Sequence, residues 1–240
     1  MRYFVCSDIH SYYDEWIKAL NSSGFDLNND NHKLIICGDL FDRGCQPKQV
    51  IDYILKNSKK IILIRGNHED LIQEMIDRNE SNYADNINGT SATILSLCSS
   101  WGITDFDLYG IAKRTGLQDV LDKCINFFET EHYVFVHSWI PTKDDDYVYD
   151  RNWRTAKRPN WETARWRNPL EMTAYKIFEP NKKIVFGHWN CSAFWHRFDS
   201  KKYDEYGETS NTLPFETENY IAIDACTAVS KRVNVIVIDD

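Results

Sequence analysis

Six short apolar runs in this chain each hand over directly to a polar residue able to ligate a metal, and that arrangement narrows the available folds sharply. Tyr3–Cys6 leads to Asp8 and His10, Leu34–Cys37 to Asp39 and Asp42, and Ile61–Ile64 to Asn67 and His68. Tyr133–Val136 runs into His137, Ile184–Phe186 is followed by His188, and Tyr220–Ile223 by Asp224. Short, β-branched or aromatic, almost unbroken runs of this kind read as strands covered on both faces. A seventh such run is Val233–Ile238. Helical patterns separate the early strands. One starts at Ser11, a residue suited to capping, with Asp14 three positions on, and stops near Gly24. The next has Pro47 in its first turn and apolar Val50, Ile51, Ile54 and Leu55 at helical spacing. A third follows Asp70. The order is βαβαβ, then a helical middle over about 70–130, then a strand-rich second half, which makes a layered α/β fold. In such sheets ligands bind outside the carboxyl ends of strands, where all six polar clusters fall.

The whole chain of 240 residues is read as one domain, since it shows no repeat, low-complexity tract or Pro/Gly-rich linker. A formal net charge of −8 disfavours general binding to nucleic-acid backbones. No apolar run reaches the ~20 residues of a membrane span, and the N-terminal stretch meets Asp8 too early for a secretion signal. A cytoplasmic location is therefore expected. Seven scattered cysteines without a CxxC pair fit a reducing compartment and disfavour cysteine-bound zinc.

Aspartate, histidine and asparagine side chains are hard or borderline donors, suited to manganese, iron or zinc. Six of them exceed what one catalytic ion needs. They fit two ions about 3.5–4 Å apart that share a carboxylate. Singly, each residue has an ordinary explanation: a partly buried histidine, a helix-start carboxylate such as Asp42 or Glu69, a turn glycine such as Gly38, Gly44 or Gly66. Five motifs in order at successive strand ends do not.

Asp8-Ile9-His10, Gly38-Asp39-Leu40-Phe41-Asp42-Arg43-Gly44, Gly66-Asn67-His68-Glu69, His137 and Gly187-His188 resemble the ordered motifs of the metallophosphoesterase superfamily. The likeness is nearest to its phosphoprotein (serine/threonine) phosphatase branch of short bacterial and bacteriophage type, and it spans about residues 3–238. The resemblance implies a layered α/β/β/α sandwich with helices outside a mixed sheet core. It implies Asp8, His10 and Asp39 on one metal, with Asp39 bridging to a second held by Asn67, His137 and His188. Arg43 would bind phosphoryl oxygens, and His68 would act as general acid, oriented by Asp42. Asp224 would hold a ligand histidine in one tautomer. His32, His132 and His196 match no motif. Two divalent cations are implied, manganese first, with iron or zinc as alternatives. The family's reaction is direct hydrolysis by a hydroxide that bridges the metals.

The segment over about 147–169 interleaves Trp153, Trp161 and Trp166 with Arg151, Arg154, Arg158, Arg165 and Arg167. In the family this stretch delivers a second substrate-facing arginine; Arg165 and Arg167 lead, and Arg158 follows. Gly187-His188-Trp189-Asn190 lacks the second histidine of many phosphodiesterase branches. That difference favours phosphomonoesters, with a phosphorylated protein (phosphoserine or phosphothreonine) or a small phosphomonoester as substrate. A dinucleoside tetraphosphate hydrolase is the alternative enzyme, and a catalytically silent metal-bound regulatory protein is the alternative from another class. No membrane partner is expected.

Overall fold

The computed structural model describes residues 1–104, 107–143 and 147–240. The first sheet is built from β1 (Arg2–Cys6), α1 (Tyr13–Ser22), β2 (His32–Cys37), α2 (Pro47–Lys56) and β3 (Ile61–Ile64). Five helices follow: α3 (Asn67–Arg78), α4 (Tyr83–Asn88), α5 (Thr90–Trp101), α6 (Leu108–Thr115) and α7 (Leu117–Leu121). They fill the helical middle predicted over about 70–130, of which residues 105–106 lie outside the described residues. The second half runs β4 (Phe128–Glu129), β5 (Tyr133–Phe135), α8 (Arg158–Arg165), α9 (Pro169–Ala174), β6 (Lys183–Phe186), α10 (Cys191–Phe198), β7 (Phe215–Glu216), β8 (Tyr220–Ala222), α11 (Thr227–Ser230) and β9 (Ile236–Asp239).

The strands form two mixed sheets, ordered β3-β2-β1-β9 and β4-β5-β6-β8-β7. In the first, β1, β2 and β3 are parallel and β9 returns antiparallel; in the second, β5, β6 and β8 are parallel between antiparallel edges. Side chains alternate faces along a strand. Val5, Ile35, Cys37 and Ile64 therefore meet Phe135, Val185, Ile221 and Ile223 in a layer between the sheets. Their neighbours point outward: Phe4, Leu34 and Ile36 pack under the first set of helices, and Val134, Ile184 and Phe186 under the second. With both faces covered, the strands have no polar side to show. That is why the sequence reads as unbroken apolar runs, and each such side chain contributes about 1.5–3 kcal/mol by burial. The result is the helix–sheet–sheet–helix sandwich.

Three local expectations change. Helix α1 begins at Tyr13, and Ser11 does not cap it. Ser11 is drawn instead against the loop after β2, where its N–H donates to the Leu40 carbonyl and its carbonyl accepts from the Gln46 N–H. The third helix starts at Asn67 rather than after Asp70, because Glu69 folds back onto the N–H of Gly66 and closes the first turn. Strands β4 and β7 were not legible, since two-residue edge strands carry no periodicity. Among the described residues no helix is long and apolar enough to cross a membrane.

Candidate active site

The loops after β1 and β2 interlock through their backbones. Asp8 N–H donates to Gly38 O (3.1 Å), His10 N–H to Asp39 O (3.0 Å), and Gly44 N–H to His10 O (2.8 Å). The chain strains to do this. Asp8, His10, Ser11, Asp39, Asp42, Arg43, His188 and Cys226 all sit at positive φ, against only Asn79, Lys176 and Lys231 elsewhere among the described non-glycine residues. Left-handed backbone costs an ordinary residue roughly 1–2 kcal/mol, so its concentration at the strand ends marks where side chains must be aimed rather than merely packed. Gly66 serves the same purpose by absence, because a Cβ there would collide with Asp39 Oδ1.

Asp39 is the centre of the site and is 2% exposed. Its Oδ2 lies 3.7 Å from His10 Nε2 and 3.9 Å from His68 Nε2, while Oδ1 lies 3.3 Å from His137 Nε2. Ligand atoms of His10, Asp39 and His68 fall within 4.8 Å of one another, as do those of Asp39, His137 and His188. Asp39 belongs to both groups. His10 Nδ1 donates to the Phe41 carbonyl and His137 Nδ1 to the Cys37 carbonyl, each at 2.8 Å. Both rings thus carry their proton at Nδ1 and turn a lone pair at Nε2 toward Asp39. Burial pushes His10 and His188 down to about 3 and lowers His137, which keeps the rings neutral, the form that ligates metals.

The fit to a cation follows from what the lone pairs face. His137 Nε2 is 2.7 Å from Asn67 Oδ1 and 3.2 Å from His188 Nδ1, which is itself 2.9 Å from Asn67 Oδ1. Three acceptor-capable atoms converge with at most one proton, on His188, to share. Three carboxylates are buried in the same region. Asp8 is raised well above its ordinary range by burial and by the charges of Asp224 and Asp39, and burial raises Asp224 to about 6. Burial also works against ionisation of Asp39, yet the rings of His137, His68, His10 and His188 outweigh it and hold Asp39 below the usual carboxylate range. In such a set of oxygen and imidazole donors, burial and mutual repulsion resist the ionisation of Asp8 and Asp224, a cost that the charge of divalent cations would relieve.

Beside this centre, His68 Nδ1 is 2.7 Å from Asp42 Oδ2, and His68 Nε2 is 3.2 Å from Arg43 Nη2. Burial disfavours a charged His68, but the Asp39 charge and the Asp42 hydrogen bond prevail and raise its pKa. Arg43 is exposed at the mouth. Two groups went unrecognised in the sequence. Glu69, read alone as a helix-start carboxylate, accepts the N–H groups of Asp39, Leu40 and Gly66 and so ties β2's end to α3. Thr90 and Thr93 of α5 both bond the Asp42 carboxylate, and no motif announced them.

The remaining predicted residues are placed as follows. Asp8 Oδ2 accepts the His188 N–H at 2.9 Å, which joins the two sheets' ends. The Asp224 carboxylate accepts the Cys226 N–H at 2.7 Å rather than a histidine ring; backbone carbonyls fix the tautomers instead. Arg165 is 3% exposed, bonded through Nε to Asp70 (2.5 Å) and through Nη1 to Asn126 (3.1 Å), so it braces α8 against α3 rather than facing a substrate. Arg158 pairs with Glu162 on the surface. Arg167 is half-buried, with its guanidinium over the Tyr147 ring, and its carbonyl accepts from Ser138 beside His137. Trp153 and Trp161 are core residues, whereas Trp166 is 51% exposed, edge-on to His188 at 6.2 Å.

Residues 1–219 match the model of the calcineurin-like phosphoesterases. The asymmetrical bis(5'-nucleosyl)-tetraphosphatase of Bacillus velezensis is 27% identical over 105 residues, which is 40% of this chain and 42% of that protein. The match thus covers less than half the length of that relative. Among solved structures, a proposed diadenosine tetraphosphatase superposes with a TM-score of 0.55 at 15% identity, over 99% of this chain and 89% of that one. A cold-active protein-tyrosine phosphatase of a Shewanella species gives 0.53 at 13%, over 100% and 75%. At such identities the structures speak for a shared fold.

Proposed function

The chain belongs to the calcineurin-like phosphoesterase family, and from that premise we propose that it is a metal-dependent phosphoric ester hydrolase acting on dinucleoside tetraphosphates. The observation that carries the chemistry is Asp39, whose two oxygens face two separate groups of neutral ligands. The substrate class is supported by the tetraphosphatase named above as a relative and by Trp166, an exposed indole at the site's rim able to stack on a base. This reverses the order of substrates expected from the sequence, where the missing second histidine after Gly187-His188 favoured phosphomonoesters.

Two divalent ions, one against Asp8, His10 and Asp39 and one against Asp39, Asn67, His137 and His188, would supply Lewis acidity and a water acidic enough to attack phosphorus near neutral pH. Manganese is the first assignment. Arg43 turns its planar fork from His68 to the phosphoryl oxygens as charge grows on them. Water oxygen forms the new bond to phosphorus and gives up its proton to solvent, the bond to the leaving oxygen breaks with its electron pair, and His68, which takes a proton on Nε2 once Arg43 has turned away, passes that proton to the leaving oxygen. Asp42 holds His68 at Nδ1 throughout. Arg167, whose carbonyl accepts from the Ser138 hydroxyl next to His137 in the chain, is the second arginine we assign to the substrate's phosphates. The intact Asp42–His68–Arg43 contacts argue against a silent regulatory protein, which has no use for them.

One observation favours a second reading, hydrolysis of phosphoserine and phosphothreonine. A proton donor as firmly held as His68 is of most use to an alkoxide leaving group. The two readings separate on kcat/KM for diadenosine tetraphosphate and for a phosphothreonine peptide at one manganese concentration. We expect at least a tenfold preference for the dinucleotide, reduced by Trp166→Ala about 10–100-fold, since base stacking is worth about 1–3 kcal/mol. A preference for the peptide establishes the second reading instead.

A further inference from the structure

We propose that Thr90 and Thr93 are positioning residues for proton delivery by His68, an inference that rests on the general-acid reading above. Asp42 is fully buried, and every oxygen of its carboxylate is spoken for. Oδ2 takes His68 Nδ1 at 2.7 Å and Thr90 Oγ1 at 2.9 Å, while Oδ1 takes Thr93 Oγ1 at 2.8 Å. The Thr93 hydroxyl also accepts the N–H of Asp42 itself at 3.1 Å. It therefore grips both ends of that residue, whose backbone sits at a φ of 71°. Both threonines are buried, at 0% and 1% exposure.

These contacts are not the ordinary business of a helix start. A threonine in the first turn usually bonds its own helix, yet these two reach across 48 and 51 residues of chain. The approach is built in. Gly89 joins α4 to α5 at a φ of 92°, and a Cβ placed on it would lie 2.8 Å from the Arg43 backbone nitrogen. Glycine there lets the α4–α5 junction seat directly on Asp42-Arg43. A carboxylate held by three donors cannot rotate about its Cβ–Cγ bond. Its Oδ2 stays in line with the imidazole, and the ring keeps Nε2 aimed at the leaving oxygen. The α4–α5 junction, which supplies no ligand to the centre, thereby completes the acid.

The test uses the manganese-loaded full chain and compares phenyl phosphate, whose leaving oxygen needs a proton, with p-nitrophenyl phosphate, whose leaving oxygen needs little help. His68→Asn is expected to lose ~10²–10⁴-fold in kcat on phenyl phosphate and far less on the nitrophenyl ester. The double variant Thr90→Val with Thr93→Val keeps shape but not hydroxyls, and is expected to lose ~10–100-fold on phenyl phosphate. Its nitrophenyl rate, KM and metal content should hold, and Thr90→Ser with Thr93→Ser should restore the phenyl rate. If His68→Asn discriminates between the esters while the valine variant loses both equally, or neither, the positioning role is overturned and the acid stands. If His68→Asn loses both equally, the acid reading falls and takes the positioning role with it. Should the double variant not fold, Thr90→Val alone removes only the partner shared with His68 at Oδ2, and the same comparison decides.

Discussion

At the first sheet, β1, β2 and β3 deliver Asp8 and His10, Asp39, and Asn67; the loops after β1 and β2 lock together through their backbones, and the Glu69 and Asp39 carboxylates tie the end of β3 to them. The second sheet offers one side chain per strand end, His137 after β5, His188 after β6 and Asp224 after β8, and borrows their orientation. The Cys37 carbonyl at the end of β2 fixes the His137 ring, and Asp8 Oδ2 anchors the His188 backbone. One sheet is thus the template and the other is set against it. Damage at the end of β2 should spread to both groups of ligands, whereas damage after β6 should stay local.

Asp39→Asn against His188→Ala breaks or sharpens that contrast most directly. Asp39→Asn keeps size but removes one of the two carboxylates assigned to the first site and the single carboxylate assigned to the second. We expect metal content to fall at both, with a loss of kcat/KM on the order of 10³-fold or more, given the several kcal/mol a catalytic ion supplies. His188→Ala should leave roughly one ion bound. Metal analysis of the purified variants decides the matter, and two ions retained by Asp39→Asn end the template argument.

The second contrast lies within the Trp/Arg segment that follows β5. Trp161 is 2% exposed, stacked on Phe127 at 5.4 Å and edge-on to Trp153 at 5.9 Å. Trp161→Ala should cost about 3–5 kcal/mol, read as a lower denaturant midpoint. Trp166→Ala should change stability by no more than about 0.5 kcal/mol, as at most exposed positions. Equal destabilisation by the two would return Trp166 to the core and remove it from the rim.

That segment also shows where the sequence stops being informative. The strands and the residues gathered at their ends were legible because one constraint wrote both. Two-sided burial makes an unbroken apolar run, and the polar residue just beyond it stands at the carboxyl end where a site can form. Tryptophan and arginine carry no such positional mark. Trp161 and Trp166 look alike along the chain, and only the packing of α8 on Phe127 separates a core ring from a rim ring. Arg165 was misread for a similar reason: its partner Asp70 is 95 residues away. Ser11 failed as a cap because the strand-end loops, not helix propensity, claimed its backbone. Thr90 and Thr93 stayed invisible because a hydroxyl that serves a carboxylate on a distant loop leaves no spacing to read.

The smallest effect concerns the ends of the sheets opposite the site. There Asp240, just past β9 of the first sheet, accepts from the Thr130 hydroxyl and the His132 N–H, and its Oδ1 lies 2.5 Å from His132 Nδ1 at the foot of β5. Partial burial works against ionisation of Asp240, yet the bonds from Thr130 and His132 hold it down at about 2. The same hydrogen bond, with the Asp240 charge, raises His132. Each shift sets one edge of a pH window. A lowered carboxyl adds stability that is present above its unfolded value near 3.9 and lost as pH falls through about 2. A raised histidine adds stability that is complete below its unfolded value near 6.5 and lost as pH rises through its folded value. The clasp should therefore act fully between about pH 4 and 6.5 and weaken on both sides. Since His132 is exposed, salt should weaken it too. Thermal unfolding of the metal-free protein and of His132→Asn across this range isolates the clasp as their difference. We expect that difference to shrink as pH rises past 7; a difference that grows toward alkaline pH would show that the far ends are held by something other than this pair.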